Sequence, residues 1–109
     1  MTYKLLQITF RNPQGQTEAA QKAAWERAHQ IAALPGLVWK IWIYSQEAQL
    51  AGGVYLFTDA DSAQAYLNSS IVAALSAAPG VEGMTTTLFD VDEARTLVTR
   101  GPLTPQSNP

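Results

Sequence analysis

The sequence has no cysteine and a single histidine among its 109 residues. The absence of cysteine excludes disulfide bonds, thiolate metal sites and cysteine nucleophiles. A transition-metal site would therefore depend on carboxylates, and the acidic residues Asp90, Asp92 and Glu93 lie at the end of a predicted strand, a pattern typical of a solvated segment. No glycine-rich phosphate loop and no nucleophile-elbow motif is present either. We therefore expect no metal and no other cofactor.

Basic residues and long apolar runs are also few. The seven lysines and arginines are scattered from Lys4 to Arg100, and the formal net charge is −2. No basic stripe is available to neutralise a phosphate backbone, so nucleic acid is not an expected partner. The first residues lack the basic and apolar segments of a signal peptide, and no stretch is long enough to span a membrane. These features predict no membrane association and a cytoplasmic location.

The apolar residues alternate between the two-residue period of strands and the 3.6-residue period of helices. They predict strands at residues 3–10, 37–44, 51–58 and 81–91, one helix at residues 17–33, and a second helix that starts at residues 58–61. Each half of the chain runs strand, helix, Pro-Gly, strand, first through Pro35-Gly36 and then through Pro79-Gly80. This repetition predicts a ferredoxin-like α+β fold of βαββαβ order, with a four-stranded antiparallel sheet and two helices on one face.

The expected domain comprises residues 1–95. Residues 96–109 contain prolines and lose the periodicity, so they are predicted to form an extended or partly disordered tail. In the domain, Gly52-Gly53 is predicted to lie where another backbone or side chain comes close to a strand.

Both predicted helices carry an apolar stripe. On the first helix the stripe is made mostly of small side chains, which predicts a close approach of the helix to the sheet. Its members are Ala20, Ala24, Ala28 and Ile31. On the second helix the members are Ala63, Tyr66, Leu67, Ile71, Ala74 and Leu75.

Residues 39–44, WKIWIY, form a predicted strand that is apolar on both faces. Because side chains alternate along a strand, its faces carry Trp39, Ile41 and Ile43 on one side and Lys40, Trp42 and Tyr44 on the other. The helices of this fold cover only one face of the sheet, so such a strand needs a second cover. We therefore expect a homodimer in which two sheets pack together.

The face with Lys40, Trp42 and Tyr44 combines aromatic side chains with an ammonium group and a phenol, and Tyr55 and Phe57 follow on the next strand. This composition is typical of a ligand pocket. A plain subunit interface is the alternative, because Trp and Tyr are common at interfaces and a lysine reaches water along its apolar stem. The sequence leaves both interpretations open.

His29 is the only histidine, and it lies beside the apolar stripe of the first helix. Trp25 lies one turn earlier on the same side of that helix. A lone histidine on a helix surface is usually solvated. The alternative is that Trp25 and His29 border the mouth of a pocket.

Several segments carry a resemblance to a known family. They are residues 34–42 (LPGLVWKIW), residues 51–59 (AGGVYLFTD), residues 62–67 (SAQAYL) and Phe89-Asp90-Val91. These segments closely resemble the YdhR-type mono-oxygenases, and the likeness extends from the first strand to about Glu93. The resemblance implies a dimeric α+β barrel, in which two ferredoxin-like sheets pack together. It also implies an activity like that of the small cofactor-free oxygenases that act on aromatic polyketides.

The first functional hypothesis is a mono-oxygenase without metal or flavin that oxidises a small electron-rich phenol, hydroquinone or polyketide-like compound with dioxygen. In this hypothesis Lys40 holds a phenolate or peroxide anion, and Tyr44 or His29 exchanges a proton. The residues expected to surround the substrate ring are Trp39, Trp42, Tyr55, Phe57 and Trp25.

Two further hypotheses belong to other classes. A non-catalytic dimeric module could bind a small ligand with the same residues, and oxygen uptake would distinguish it from the enzyme. Haem degradation ranks third, because His29 is not where an axial haem ligand is expected.

Overall fold

The computed structural model describes residues 2–104. These residues form four strands and four helices, namely β1 (Lys4–Arg11), α1 (Glu18–Ala32), β2 (Leu37–Ser45), β3 (Leu50–Phe57), α2 (Ala60–Leu67), α3 (Ser70–Ser76), β4 (Glu82–Asp90) and α4 (Glu93–Val98). Within the described residues no helix has both the length and the apolar character needed to cross a membrane.

The strands form one antiparallel sheet in the order β2-β3-β1-β4. The central strands are β1 and β3, and β2 and β4 form the edges. This is the strand order of a ferredoxin-like fold, so the predicted fold class is confirmed. Residues Pro35-Gly36 and Pro79-Gly80 stand where each half changes from helix to strand, and both glycines have positive φ angles, 80° and 84°.

The register assigns each residue of β2 to a face of the sheet. Trp42 pairs with Gly53, which in turn pairs with Ile8, a core residue. Because directly paired residues share a face, Trp42 lies on the face that the helices cover. Trp39 pairs with Leu56 and lies on the opposite face, which we call the outer face. The two tryptophans therefore point to opposite faces, as their spacing predicted.

The hydrophobic core lies between the helix-covered face of the sheet and helices α1 to α3. Its buried members are Leu6, Ile8, Phe10, Ile31, Tyr55, Phe57, Ala63, Tyr66, Val72 and Leu75. Complete burial of a large apolar side chain stabilises a fold by about 1.5–3 kcal/mol. The shared burial of these side chains fixes the helices on one face of the sheet.

The second predicted helix is in fact two helices, α2 and α3, with Asn68 and Ser69 between them. The side chain of Ser69 accepts a hydrogen bond from the backbone N–H of Val72 at 3.4 Å and caps α3. This new start changes the phase of the helix, so that Val72 is buried and Ala74 is exposed. The prediction of one continuous stripe was wrong because a serine cap competes with continuation of the helix.

The chain after β4 also differs from the predicted extended tail. The side chain of Asp92 accepts a hydrogen bond from the backbone N–H of Arg95 at 3.0 Å, and α4 follows. Residues 96–98 are therefore helical, and the boundary predicted after residue 95 falls inside α4. A helix of 6 residues is too short to produce a periodic apolar signal.

The segment beyond α4 packs on the outer face of the sheet. The indole N–H of Trp39 donates a hydrogen bond to the backbone carbonyl oxygen of Pro102 at 2.8 Å. Leu103 is buried, and so is Leu56, the outer-face residue that pairs with Trp39. The segment therefore covers part of the outer face with its own chain. The disorder predicted for the end of the tail concerns residues 105–109, which lie outside the described part of the chain.

Gly52 and Gly53 both allow a close approach to β3. A Cβ atom on Gly52 would overlap with the backbone carbonyl group of Ile8 on β1, and a Cβ atom on Gly53 would overlap with the side chain of Lys40 on β2. The structural role predicted for this glycine pair is confirmed.

We predict that Gly52→Ala destabilises the fold by about 2–3 kcal/mol, because the added methyl group forces the central strands apart. Gly15→Ala is the matched control, since its Cβ would lie 3.3 Å from the nearest atom in a loop. Urea denaturation of both variants measures the effect. Equal stability of the two variants would contradict the packing described for Gly52.

Candidate active-site cavity

A cavity of about 970 Å³ lies between α1 and the helix-covered face of the sheet. Ala20, Ala23 and Ala24 line it from α1, and residues of β2 and β3 line it from the sheet. The small side chains of α1 were expected to bring the helix close to the sheet. They leave a space of ligand size beneath the helix instead.

Lys40 crosses the sheet side of this cavity above Gly53. Its Nζ atom lies 3.3 Å from the centroid of the Trp42 ring and 4.7 Å from that of the Tyr55 ring. Because Gly53 has no side chain, the stem of Lys40 occupies the position that a Cβ atom would take. The ammonium group is therefore held against two aromatic rings, whose faces attract a positive charge.

The environment of Lys40 changes its acidity. Burial, and to a smaller extent the positive charge of Arg27, lower the pKa of Lys40 from 10.5 to about 7. No carboxylate within residues 2–104 forms a salt bridge with Lys40 to oppose this change. At neutral pH a substantial fraction of Lys40 is therefore an uncharged amine, which can accept a proton from a bound molecule.

Two buried tyrosines form a hydroxyl pair next to Lys40. The hydroxyl oxygens of Tyr55 and Tyr66 are 2.9 Å apart, and their ring centroids are 4.9 Å apart. Burial raises the pKa of both hydroxyl groups, so both remain protonated at neutral pH. Only one of the two hydrogen atoms is used in their mutual hydrogen bond. The pair therefore keeps one hydroxyl donor, and Tyr55 lines the cavity.

Arg27 supplies a second positive charge from α1. It is half-buried, it lines the cavity, and its Cζ atom lies 5.9 Å from the centroid of the Trp42 ring. It follows Ala20 and Ala24 on the inner side of α1, so the helix itself aims it at the sheet. The indole of Trp42 is thus in contact with one cation from the helix and one from its own strand.

The cavity brings together part of the predicted site. Lys40, Trp42, Tyr44 and Tyr55 all line it. Tyr44 is 71% exposed and Trp42 is 42% exposed, which places them toward the open side of the cavity. The face of β2 for which a pocket and an interface were both considered is therefore the face that borders the cavity.

The other predicted site residues lie elsewhere. Trp39 is on the outer face, and Phe57 is fully buried in the core and does not line the cavity. His29 is exposed and Trp25 is 69% exposed, and neither lines the cavity. Each helical residue turns by about 100° from the last, so the positions of Trp25 and His29 face solvent when Arg27 faces the sheet.

Two residues near the cavity were not predicted as site residues. Arg27 carried a signal in the sequence, because it is a charged residue between Ala24 and Ala28 on an apolar helix stripe. Tyr66 was assigned only to the core, and its hydroxyl group, which needs a partner when it is buried, was the overlooked signal.

Within residues 2–104, no three histidine, cysteine, aspartate or glutamate side chains are grouped so that they could hold a metal ion. The side chains that line the cavity supply amine, guanidinium, hydroxyl and aromatic groups.

Comparison with known proteins identifies the family. A family model described as "Putative mono-oxygenase ydhR" matches residues 5–102, almost the whole chain. The chain belongs to the YdhR family. This finding confirms the resemblance seen in the sequence motifs. No protein in the comparison with curated proteins matches the chain.

Solved structures share the fold of this YdhR-family chain at low sequence identity. A protein of unknown function from Nitrosomonas europaea has a TM-score of 0.70 and 22% identity, covering 84% of this chain and 91% of its own. A mutant of SnoaB, a cofactor-independent oxygenase from Streptomyces nogalater, has a TM-score of 0.62 and 15% identity, covering 83% of this chain and 93% of its own. The heme-degrader MhuD from Mycobacterium tuberculosis, with two hemes bound in its active site, has a TM-score of 0.59 and 20% identity, covering 81% of this chain and 95% of its own. At these identities the likeness shows the fold alone.

We predict that Lys40→Met makes the protein more stable than the wild type below pH 7. The folded-state pKa of Lys40 is about 7 against 10.5 when it is exposed, so folding is opposed by the buried charge at low pH. Above pH 7 the unfolded chain binds more protons than the folded one, and the wild-type stability rises toward pH 10.5. The advantage of the variant should therefore shrink over this range.

Urea denaturation at a series of pH values between 6 and 9.5, about the window set by these pKa values, measures the difference. Lys22→Met, on the exposed side of α1, is the control. A stability difference that stays constant with pH would contradict a buried Lys40 with a lowered pKa.

Proposed function

We propose that the protein is a cofactor-independent mono-oxygenase that oxidises a small electron-rich aromatic compound held against Trp42. The observation that supports this proposal most directly is the amine of Lys40, which lies in an aromatic cavity and has a pKa near neutrality. An amine of this kind can remove the proton of a phenol. The resulting anion is electron-rich enough to reduce dioxygen without help from a metal or flavin.

The proposed reaction balances without another reductant. The neutral Lys40 amine accepts the phenolic proton, and the anion transfers one electron to dioxygen. The two radicals combine at a ring carbon that carries a hydrogen atom, and the Lys40 ammonium group returns its proton to the peroxide. Loss of water from the hydroperoxide leaves a carbonyl group. The substrate supplies four electrons, one oxygen atom enters the product, and the other leaves as water.

The remaining groups of the cavity assist this reaction in the proposal. Trp42 and Tyr55 hold the ring and exclude water from one side, which strengthens electrostatic interactions inside the cavity. The free hydroxyl hydrogen of the Tyr55 and Tyr66 pair can stabilise negative charge that develops on the substrate oxygen. Tyr44, at the exposed side, is the candidate for proton exchange with solvent. His29 receives no role, because it lies outside the cavity.

The fold relatives support two versions of oxidative chemistry. SnoaB is a cofactor-independent oxygenase, and MhuD is a heme-degrader. We favour the first kind of activity, because the only histidine of the chain is exposed on the outer side of α1. A non-catalytic binding module remains the second candidate, since the same cavity would hold a ligand without turnover.

The proposal includes a homodimer formed through the outer face of the sheet. This face exposes Ile41 at 55% and Phe89 at 45%. A set of large apolar side chains on one sheet face is typical of an interaction surface. A second copy would cover it by packing sheet against sheet, as the family resemblance implies. The cavity lies on the other face, so each subunit would keep its own.

We predict oxygen uptake when the protein is mixed with anthralin or with members of a hydroquinone panel. The value of kcat/KM should rise with pH through about 7, because the amine of Lys40 must lose its proton before it acts as a base. Lys40→Met should lower kcat/KM by roughly 100-fold or more. Lys22→Met should have no effect. Saturable binding of these compounds without any oxygen uptake would favour the binding module over the enzyme.

We predict that Ile41→Glu converts a dimer into a folded monomer, because it places a charge in the centre of an apolar interface. Trp25→Glu, which adds the same charge on the exposed side of α1, should leave the dimer intact. Sedimentation velocity measures both. A wild-type protein that sediments as a stable monomer at micromolar concentration would refute the dimer.

A further inference from the structure

The charges around the cavity are all of one sign. Arg27 and Lys40 line it, and no aspartate or glutamate does so within the described part of the chain. The sequence nevertheless contains nine acidic residues. Of these, Asp90 pairs with Lys4, and Asp92 pairs with Arg95, whereas Arg27 and Lys40 form no salt bridge within residues 2–104. Two cations beside low-dielectric walls produce a positive potential that attracts an anion.

Arg27 is the charged residue on the inner stripe of α1, where Ala20, Ala24 and Ala28 are its neighbours. Arg27 is half-buried, it stands near a second cation, and this repulsion opposes folding. The guanidinium group of Arg27 lies near the ring of Trp42 but has no carboxylate partner within residues 2–104, and a bound anion would supply one.

We infer that the cavity binds an aromatic hydroxy acid, whose carboxylate pairs with Arg27 while its ring lies beside Trp42 and its hydroxyl group meets Lys40. This inference deepens the proposed function and rests on the same cavity. In this inference the two cations have different roles. Arg27 fixes an acid group that takes no part in the reaction, and Lys40 faces the hydroxyl group that loses its proton.

The geometry suits this division. A guanidinium group presents a planar fork that binds a carboxylate through two parallel hydrogen bonds, whereas an ammonium group is a compact charge that can lose its proton. Both groups are placed about a single indole, with Cζ of Arg27 at 5.9 Å and Nζ of Lys40 at 3.3 Å from its ring centroid. Because Nζ of Lys40 occupies one face of the indole, an aromatic molecule that reaches both cations lies beside Trp42 and not on that face.

A bound carboxylate would also act on Lys40. The positive charge of Arg27 lowers the pKa of Lys40, so neutralising that charge raises the pKa, which makes the neutral amine a stronger base and lowers its fraction at neutral pH. The other titratable groups that line the cavity are the hydroxyls of Tyr44 and Tyr55. A substrate without the acid group would bind more weakly and meet a weaker base.

Calorimetric titration under argon tests the inference, with a hydroxynaphthoate and the naphthol that lacks its carboxylate as probes. We expect the wild type to bind the acid roughly tenfold or more tightly than the naphthol, as one charge-assisted pair predicts. Arg27→Gln should remove this preference and change naphthol affinity by about twofold at most. Lys22→Gln, which removes the same charge from the exposed side of α1, should keep the preference.

Several results would overturn the inference. They are a wild type without preference for the acid or without affinity for either probe, a preference that survives Arg27→Gln, and an equal loss of affinity for both probes in that variant. Oxygen uptake is measured separately. If the preference for the acid depends on Arg27 but no oxygen is taken up, the acid site stands and the mono-oxygenase proposal is refuted. If oxygen is taken up but there is no preference for the acid, the mono-oxygenase proposal stands and the acid site is refuted.

Discussion

The position of one ammonium group beneath a helix is the constraint on which the site depends. Lys40 reaches the cavity because Gly53, on the neighbouring strand, leaves room for its stem. The rings of Trp42 and Tyr55 favour its charged form, whereas burial and Arg27 favour its neutral form. Burial, and to a smaller extent Arg27, lower its pKa to about 7. A residue that would otherwise only reach solvent can then act as a base.

The alternation of side chains gives the two faces of the sheet different surroundings. On β2, Lys40, Trp42 and Tyr44 line the cavity, whereas Trp39 and Ile41 lie on the outer face. The outer face holds the C-terminal segment through the hydrogen bond from Trp39 to Pro102, and it exposes Ile41 beside it. In the proposal, the cavity and the dimer interface therefore lie on opposite faces of the sheet.

Sequence patterns predicted the order of strands and helices, the sheet topology and the two faces of β2, because strand alternation is a local and regular signal. They did not predict the break at Ser69 or helix α4, because single capping residues decide both. They also missed Arg27. A stripe of small residues on α1 is compatible both with close packing against the sheet and with a cavity. The distance between α1 and the sheet decides between them, and bulky core residues set that distance.

The central claim is that Lys40 lies in the cavity as a base with a pKa near neutrality. Nuclear magnetic resonance of the protein labelled with ¹³C at lysine Cε tests it most directly, with the Lys40 signal assigned by its loss in Lys40→Met. We predict a Lys40 transition near pH 7, well below the range of an ordinary solvent-exposed lysine side chain. A Lys40 transition in that ordinary range would contradict the account.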